Sequence, residues 1–261
     1  MNHLNIETAA EQLRLAEQSR VACEPIRDII GADNLESAYR VQQLNADRRM
    51  AAGERLVGCK IGLTAVAVQQ QFGIDQPDYG VLFESMLVAN GDTLAWGEAM
   101  QPRVECEIAF VLKGDLKSTN LSLEDVAKAI DYAHPSIEIA GSRVKDWNIR
   151  IADTIADNAS ASHFVLGTSH KKLSEFNRLS CAMTLRRNGE IVSTGTGAAC
   201  LGDPLIAVKW LAQTMAKLGR PLLKGQTVMS GALGPMVAGN PGDHFEAEIE
   251  GLGVVSVRFG S

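Results

Sequence analysis

The chain has 261 residues, enough for one large domain or two small ones, and a net charge of −6 with no Lys/Arg-rich run, which argues against nucleic acid as the main partner. No stretch approaches the ~18 consecutive apolar residues of a membrane span. The N-terminus MNHLNIETAAEQLRLAEQ has acidic residues and no continuous apolar run, so neither a membrane partner nor a secretory leader is expected, and the protein is read as cytoplasmic.

Residues 1–53 read as a helical N-terminal segment. Ile6, Ala9, Ala10, Leu13 and Ala16 follow helical spacing, and a break follows near Cys23-Glu24-Pro25. Asp33 with Glu36 resembles a capping box for a second helix through Leu35, Ala38, Tyr39 and Gln42, and Gly53 stands where a C-terminal glycine would. Residues 54–261 are expected to form one compact unit. It begins with RLVGCKIGL, where Val57, Cys59 and Ile61 alternate with Gly58, Lys60 and Gly62, the period of a strand. Glycine within a strand marks close approach of a ligand or another backbone. Lys60, flanked on its own face by two glycines, has room around it, although a solvent-facing edge lysine would read the same way. Thr64 to Phe72 is expected to be a short helix, followed by the turn-rich loop GIDQPDYG with Asp75, Asp78 and Tyr79.

The stretch QPRVECEIAFV at 101–111 carries the most information. Val104, Cys106, Ile108 and Phe110 form one strand face, and Glu105 and Glu107 project together from the other. Like charges so placed repel and call for a neutralising partner, which a hard divalent cation would supply. A solvated outer face would serve the same pattern. The five cysteines, Cys23, Cys59, Cys106, Cys181 and Cys200, are scattered and lack C-x-x-C spacing, so any metal is expected to be held by oxygen rather than sulfur.

Ser122 and Asp125 form a capping-box pattern for a short helix, and AHPSIEIAGS places Glu138 on a further strand opposite Ile137 and Ile139. Asp153, Asp157, Asn158 and Ser160 follow, then a strand from His163 to Leu166. His134 and His163, near strand segments, read as packing or hydrogen-bonding residues. Asn188-Gly189 suits a type I′ hairpin turn within CAMTLRRNGEIVSTG. Asp203-Pro204 opens a helix with a stripe of Leu205, Val208, Leu211, Ala212, Met215 and Leu218, ended by Gly219. The remainder, including TVMSGALGP, HFEAEIE and VVSVRF, is β-rich. Strands that do not alternate regularly with helices predict an α+β class. There is no P-loop, G-x-S-x-G or H-E-x-x-H.

GCKIGLT, QPDYG, QPRVECEIAFVL, PSIEIAGSRVKDW, DTIADNAS and GALGPM, in this order over nearly the whole chain, together resemble the 2-hydroxypenta-2,4-dienoate (2-keto-4-pentenoate) hydratases of the fumarylacetoacetase-like superfamily. The resemblance implies a mixed β-roll or sandwich of the fumarylacetoacetase C-terminal type and a homo-oligomer. It also implies a divalent metal, Mg²⁺ or Mn²⁺, on Glu105, Glu107 and Glu138. Lys60 and Asp78 would be catalytic, Lys60 at the enol or carboxylate end and Asp78 toward the attacking water. Ser160 would bind substrate, and the 231–234 backbone, with Leu233 and Gly234, would contact its carboxylate or tail. The implied reaction adds water to 2-hydroxypenta-2,4-dienoate, through its 2-oxo tautomer, to give 4-hydroxy-2-oxopentanoate in aromatic or steroid ring catabolism. The 4-oxalocrotonate decarboxylases share the glutamates and the lysine but typically lack the aspartate before the aromatic-glycine pair, so Asp78 favours the hydratases. The 2-oxohept-3-ene-1,7-dioate hydratases share that loop. After DNAS this chain has Ala161-Ser162 where many hydratases have Cys-Gly, which bears on the substrate tail.

Overall fold

The computed structural model describes residues 3–65, 69 and 76–261. The helix expected from Thr64 to Phe72 falls outside these residues apart from Thr64, Ala65 and Gln69, as does Asp75.

Three N-terminal helices, α1 (His3–Ser19), α2 (Arg27–Ile30) and α3 (Leu35–Ala51), precede the sheets. The buried residues of α1 are Ile6, Ala9, Ala10, Leu13 and Ala16, the apolar stripe of the sequence. Asn34, not Asp33, caps α3: its side chain accepts from Ser37 N at 3.0 Å. Asn34 directly precedes the first helical turn and so reaches the third amide, whereas Asp33 stands one residue too early. Gly53 takes a φ of +94° just past the end of α3, where a side chain would be strained.

The first long strand, β1 (Leu56–Gly62), is followed by β2 (Asp78–Phe83), β3 (Leu87–Val88), β4 (Thr93–Leu94), β5 (Arg103–Leu112), α4 (Leu123–Ala129) and β6 (Ile130–Ala140). Then come α5 (Ile151–Ala156), β7 (Ala161–Leu166), β8 (Ala182–Arg187), β9 (Glu190–Thr196) and α6 (Pro204–Lys217). The chain closes with β10 (Thr227–Ala232), β11 (Val237–Ala238), β12 (His244–Ile249) and β13 (Gly253–Phe259). One sheet runs β2-β1-β10-β5-β6-β7-β3 with β11 also on β5, and the other runs β4-β13-β12-β8-β9. The pairing is mixed: β1 lies parallel to β10, while β5 is antiparallel to both β6 and β10. Phe110, Ile137, Phe245, Val255 and Val257 belong to one apolar core spanning both sheets. This is the α+β architecture expected.

A second core joins the helical segment to the segment before β7: Ile6, Leu13, Ile26, Ile30 and Val41 pack with Val144, Ala152 and Ile155. Polar contacts reinforce it. Gln42 Nε2, on α3, donates to Tyr79 O at 2.8 Å and to Ile155 O at 3.0 Å. Tyr39 stacks on Tyr79 with ring centroids 4.8 Å apart.

Several local signals gave the element observed. Ser122 and Asp125 form the capping box of α4. Asn188 and Gly189 take φ of 54° and 88°, as a type I′ turn requires. Asp203 accepts from Leu205 N at 2.9 Å, with Pro204 in the first turn of α6. His134 Nδ1 bonds Ser169 O and His163 Nδ1 bonds Ser162 Oγ, each at 2.9 Å. Other details differ. Asp78, expected in a loop, opens β2, because every residue of that strand is buried against its neighbours. Leu218 is 47% exposed, since α6 ends before it. Helix α5 was not anticipated, and β7 begins two residues earlier than expected.

Candidate metal centre and active-site cavity

Strand register assembles the acidic group. Glu105 on β5 stands directly opposite Glu138 on β6, and Glu107 follows two residues on, along the same face of β5. Directly opposed residues on antiparallel strands hold their Cβ atoms about 5 Å apart, and like charges there destabilise the pair. One ligand oxygen from each of Glu105, Glu107 and Glu138 lies within 4.8 Å of the other two. Neither strand is at an edge, and Glu107 and Glu138 are 0% exposed, so the solvated-face alternative does not apply.

Hydrogen bonding does not satisfy these groups. Glu107 Oε2 accepts from Gly231 N at 3.0 Å, but Glu107 Oε1 and both oxygens of Glu138 are buried without a hydrogen-bond partner, as is Asp78 Oδ1. Such orphaned atoms are rare in folded proteins. Burial, then the Glu138 charge, pushes Glu105 up to about 7. Burial followed by Glu138 and Glu105 holds Glu107 well above the usual carboxylate range. A converging, oxygen-only, underused donor set fits a hard divalent cation of the Mg²⁺ or Mn²⁺ kind.

Lys60 lies beside this group, on β1. Its Nζ donates to Ala159 O at 3.0 Å and stands 3.1 Å from Glu138 Oε1, at ion-pair distance but off the line of a hydrogen bond. At 4% exposure, on a strand flanked by β2 and β10, it is not an edge lysine. Burial works against its charge, but Glu138, Asp78, Glu105 and Glu107 together outweigh burial and hold its pKa above that of an ordinary lysine. Asp78 pairs across β1 with Gly62. Burial pushes its carboxyl up to about 6, with Lys60 opposing the rise.

A left-handed turn completes the wall. Asn158, Ala159 and Ser160 have φ of 56°, 51° and 57°, a conformation that disfavours Ala and Ser by roughly 1–2 kcal/mol per residue. The Asn158 carboxamide holds it by acting as a strand partner to β2: Val81 N donates to Oδ1 at 2.8 Å, and Nδ2 donates to Val81 O at 2.9 Å. The turn needs Gly80, where a Cβ would lie 2.2 Å from Asn158 O. Arg143 braces the flanks, pairing with the Asp157 carboxylate and donating to Asp157 O at 2.6 Å and Ala161 O at 3.1 Å. The turn thus points Ala159 O at Lys60 and sets Ser160, whose Oγ bonds Thr154 Oγ1 at 3.1 Å, into a cavity of about 230 Å³.

Lys60, Asp78, Glu105 and Ser160 all line that cavity. Leu233 and Gly234 do not. Leu233 N donates to Cys106 O at 3.0 Å, and Gly234 sits tightly against Met183 and Thr194. The same loop reaches the site through Gly231, on Glu107, and through Met236, which lines the cavity. Arg103, Trp147, Arg150 and Thr154 also line it and were not singled out from sequence. Arg103 was legible in principle, two residues before Glu105 on the same strand face. Trp147 and Arg150 arrive only by tertiary folding.

Residues 56–259 match the fumarylacetoacetate (FAA) hydrolase C-terminal family. The chain is 52% identical over 254 residues to the TodF product hydratase of Pseudomonas putida F1, covering 97% of this chain and 95% of that protein. It is 49% identical over 255 residues to the 2-keto-4-pentenoate hydratase of Paraburkholderia xenovorans LB400, covering 98% and 95%. Among solved structures it is similar to the 4-oxalocrotonate decarboxylase from Pseudomonas putida G7 complexed with magnesium and adipate. That match has a TM-score of 0.95 and 32% identity, covering 99% of this chain and 98% of that one.

Proposed function

The chain belongs to the fumarylacetoacetate hydrolase C-terminal family, and from that premise we propose a divalent-metal hydro-lyase of the 2-keto-4-pentenoate hydratase type, adding water to 2-hydroxypenta-2,4-dienoate. The observation that carries this reading is the trio of converging carboxylates with unsatisfied buried oxygens, which meets, through Glu105, the cavity that Lys60 and Asp78 also line. At about 230 Å³ the cavity is smaller than the roughly 300–1,000 Å³ of sites for drug-sized ligands, and suits a short-chain acid. The reading carries with it a homo-oligomer acting on a small molecule, as the family resemblance implies.

Glu105, Glu107 and Glu138 would hold the cation, and when bound it supplies Lewis-acid polarisation of the substrate's C2 oxygen. The chain's own side chains manage the protons. Lys60, kept cationic by the surrounding carboxylates, faces the negative charge that develops on the enolate, with Ala159 O fixing its direction. In the balanced reaction the enol proton leaves oxygen and a proton is gained at C5, giving the 2-oxo-3-enoate. Water then adds its oxygen at C4, its other proton is taken by a base, and C3 is protonated to complete 4-hydroxy-2-oxopentanoate. Asp78 is the base assigned to that water. Its pKa near 6 lets it accept a proton at neutral pH and return it without a large penalty. Ser160 offers a hydroxyl to the bound substrate from the left-handed turn.

The test is to supply 2-hydroxypenta-2,4-dienoate with Mg²⁺ and follow loss of the dienol absorbance, with NMR identification of a C4 hydroxyl. Unchanged rates after chelation would refute the metal reading. The solved decarboxylase at a TM-score of 0.95 makes decarboxylation the second reading. Release of CO₂ from an oxalocrotonate, with no turnover of the dienoate, would establish it instead.

A further inference from the structure

The cavity carries an arginine, Arg103, that feels the charge of Glu105 and makes no direct ion pair among the described residues. Arg103 opens β5 and projects from the strand face that carries Glu105, and both line the cavity. Its guanidinium lies 4.2 Å over the Trp147 ring, and its Nη1 reaches the Met236 thioether at 3.9 Å. Among the described residues no carboxylate stands within ion-pair distance of Arg103. An indole under a guanidinium fixes its plane and leaves the N–H edge open, the arrangement that receives a carboxylate on two parallel hydrogen bonds.

Charge and topology agree on what that edge is for. Lys60, Asp78 and the three glutamates, together with one divalent cation, sum to a net negative charge, which repels an anionic substrate. Arg103, with the exposed Arg150 at the rim, reverses that sign. In the sheet order β2-β1-β10-β5, two strands separate Asp78 on β2 from Arg103 on β5, so the two side chains reach the cavity from different parts of the sheet.

We infer that Arg103, held in plane by Trp147, receives the carboxylate of a 2-oxo or 2-hydroxydienoic acid and orients the substrate with that carboxylate at β5 and its C4 carbon toward Asp78. The inference rests on the hydratase reading and deepens it: Arg103 is the binding residue for the acid group, and Trp147 is a positioning residue. The 231–234 backbone, the sequence-based candidate for this task, instead serves Glu107 through Gly231.

The test uses the full chain with Mg²⁺ and two readouts. One is steady-state hydration of 2-hydroxypenta-2,4-dienoate. The other is calorimetric binding of unreactive 2-oxopentanoate beside its methyl ester. Arg103→Met should weaken binding of the acid about tenfold to hundredfold, the range for a charge-assisted hydrogen bond, and leave the ester little changed. It should raise KM by the same factor while kcat moves a few-fold. Arg103→Lys should recover part of the loss, because it restores the charge without the fork. Trp147→Phe should retain most of the affinity, and Trp147→Leu should approach Arg103→Met. An Arg103→Met enzyme that kept the wild-type preference for acid over ester would overturn the assignment. So would a loss confined to kcat. If Arg103→Met does not fold, Arg103→Lys carries the same comparison. Failure of the two readings can be told apart. A wild type that binds 2-oxopentanoate through Arg103 but does not hydrate the dienoate sinks the hydratase and spares Arg103. A normal wild type matched by Arg103→Met sinks Arg103 alone.

Discussion

Gly62→Ala would separate the catalytic geometry from the fold with a single methyl group. A Cβ at residue 62 would lie 2.2 Å from Asp78 Oδ1, 3.3 Å from its Cγ and 3.2 Å from Lys60 Nζ. The backbone of Gly62 is not left-handed, so alanine brings no conformational strain of its own. The whole penalty falls on the neighbours. Asp78 is 2% exposed and lines the cavity, so its carboxylate must withdraw by about 1 Å into the space reserved for substrate. Overpacking of this kind costs about 1–3 kcal/mol of stability, and a 1 Å misplacement of a reacting group lowers kcat on the order of 100-fold. Urea denaturation and steady-state kinetics should show both effects. The Asp78→Ala background supplies the control, because the obstructing carboxylate is gone there and adding Gly62→Ala should cost little further stability. Wild-type kcat/KM in Gly62→Ala, or an undiminished stability loss in the Asp78→Ala background, would refute this account of the pair.

Glu107→Gln keeps an acceptor for Gly231 N and removes the cost of burying an ionisable carboxyl beside Glu138 and Glu105, so in chelator it should melt above the metal-free wild type by differential scanning fluorimetry and lose most of the upward shift with added Mg²⁺. Burial holds His163 down at about 4, below the ordinary histidine value of 6.5, so as pH falls the unfolded chain takes up the proton first. Its contribution is therefore complete above pH 6.5 and is lost between 6.5 and 4, amounting to at most about 3 kcal/mol. His163→Gln should lose less stability than wild type when urea unfolding is compared at pH 7 and pH 4.5. Arg143→Met strands the buried Asp157 carboxylate, which should cost about 3–5 kcal/mol by denaturant titration and lower kcat through the left-handed turn it braces.

The sequence made the ingredients of the site readable more fully than their assembly. Period-two alternation revealed the strand carrying Glu105 and Glu107, and the same face held Arg103, which passed unremarked because an isolated arginine near a strand end has a ready explanation in solvent. That Glu138 would stand opposite Glu105 depended on the register between β5 and β6, a long-range property that periodicity does not encode. Asp78 reads as a loop residue because Gln76-Pro77 punctuates the chain, whereas its burial follows from its pairing with Gly62 on β1, a contact that the local pattern does not encode. The resemblance supplied Ser160, but the three left-handed residues that place it leave no trace in a string of Asn, Ala and Ser. Caps and turns such as Ser122, Asn188-Gly189 and Asp203-Pro204 were legible because their physics is contained within four residues.

Gln42 has a consequence beyond its two hydrogen bonds. One carboxamide from α3 ties the strand that begins with Asp78 to the helix that leads into the Asn158–Ser160 turn. The amino-terminal helices therefore cannot be treated as a detachable module. Grafting the catalytic sheet onto a foreign leader, or excising residues 1–53, would remove the clamp that keeps two halves of the reaction centre in register. A substitution in a helix remote from any substrate atom can therefore surface as a change in turnover.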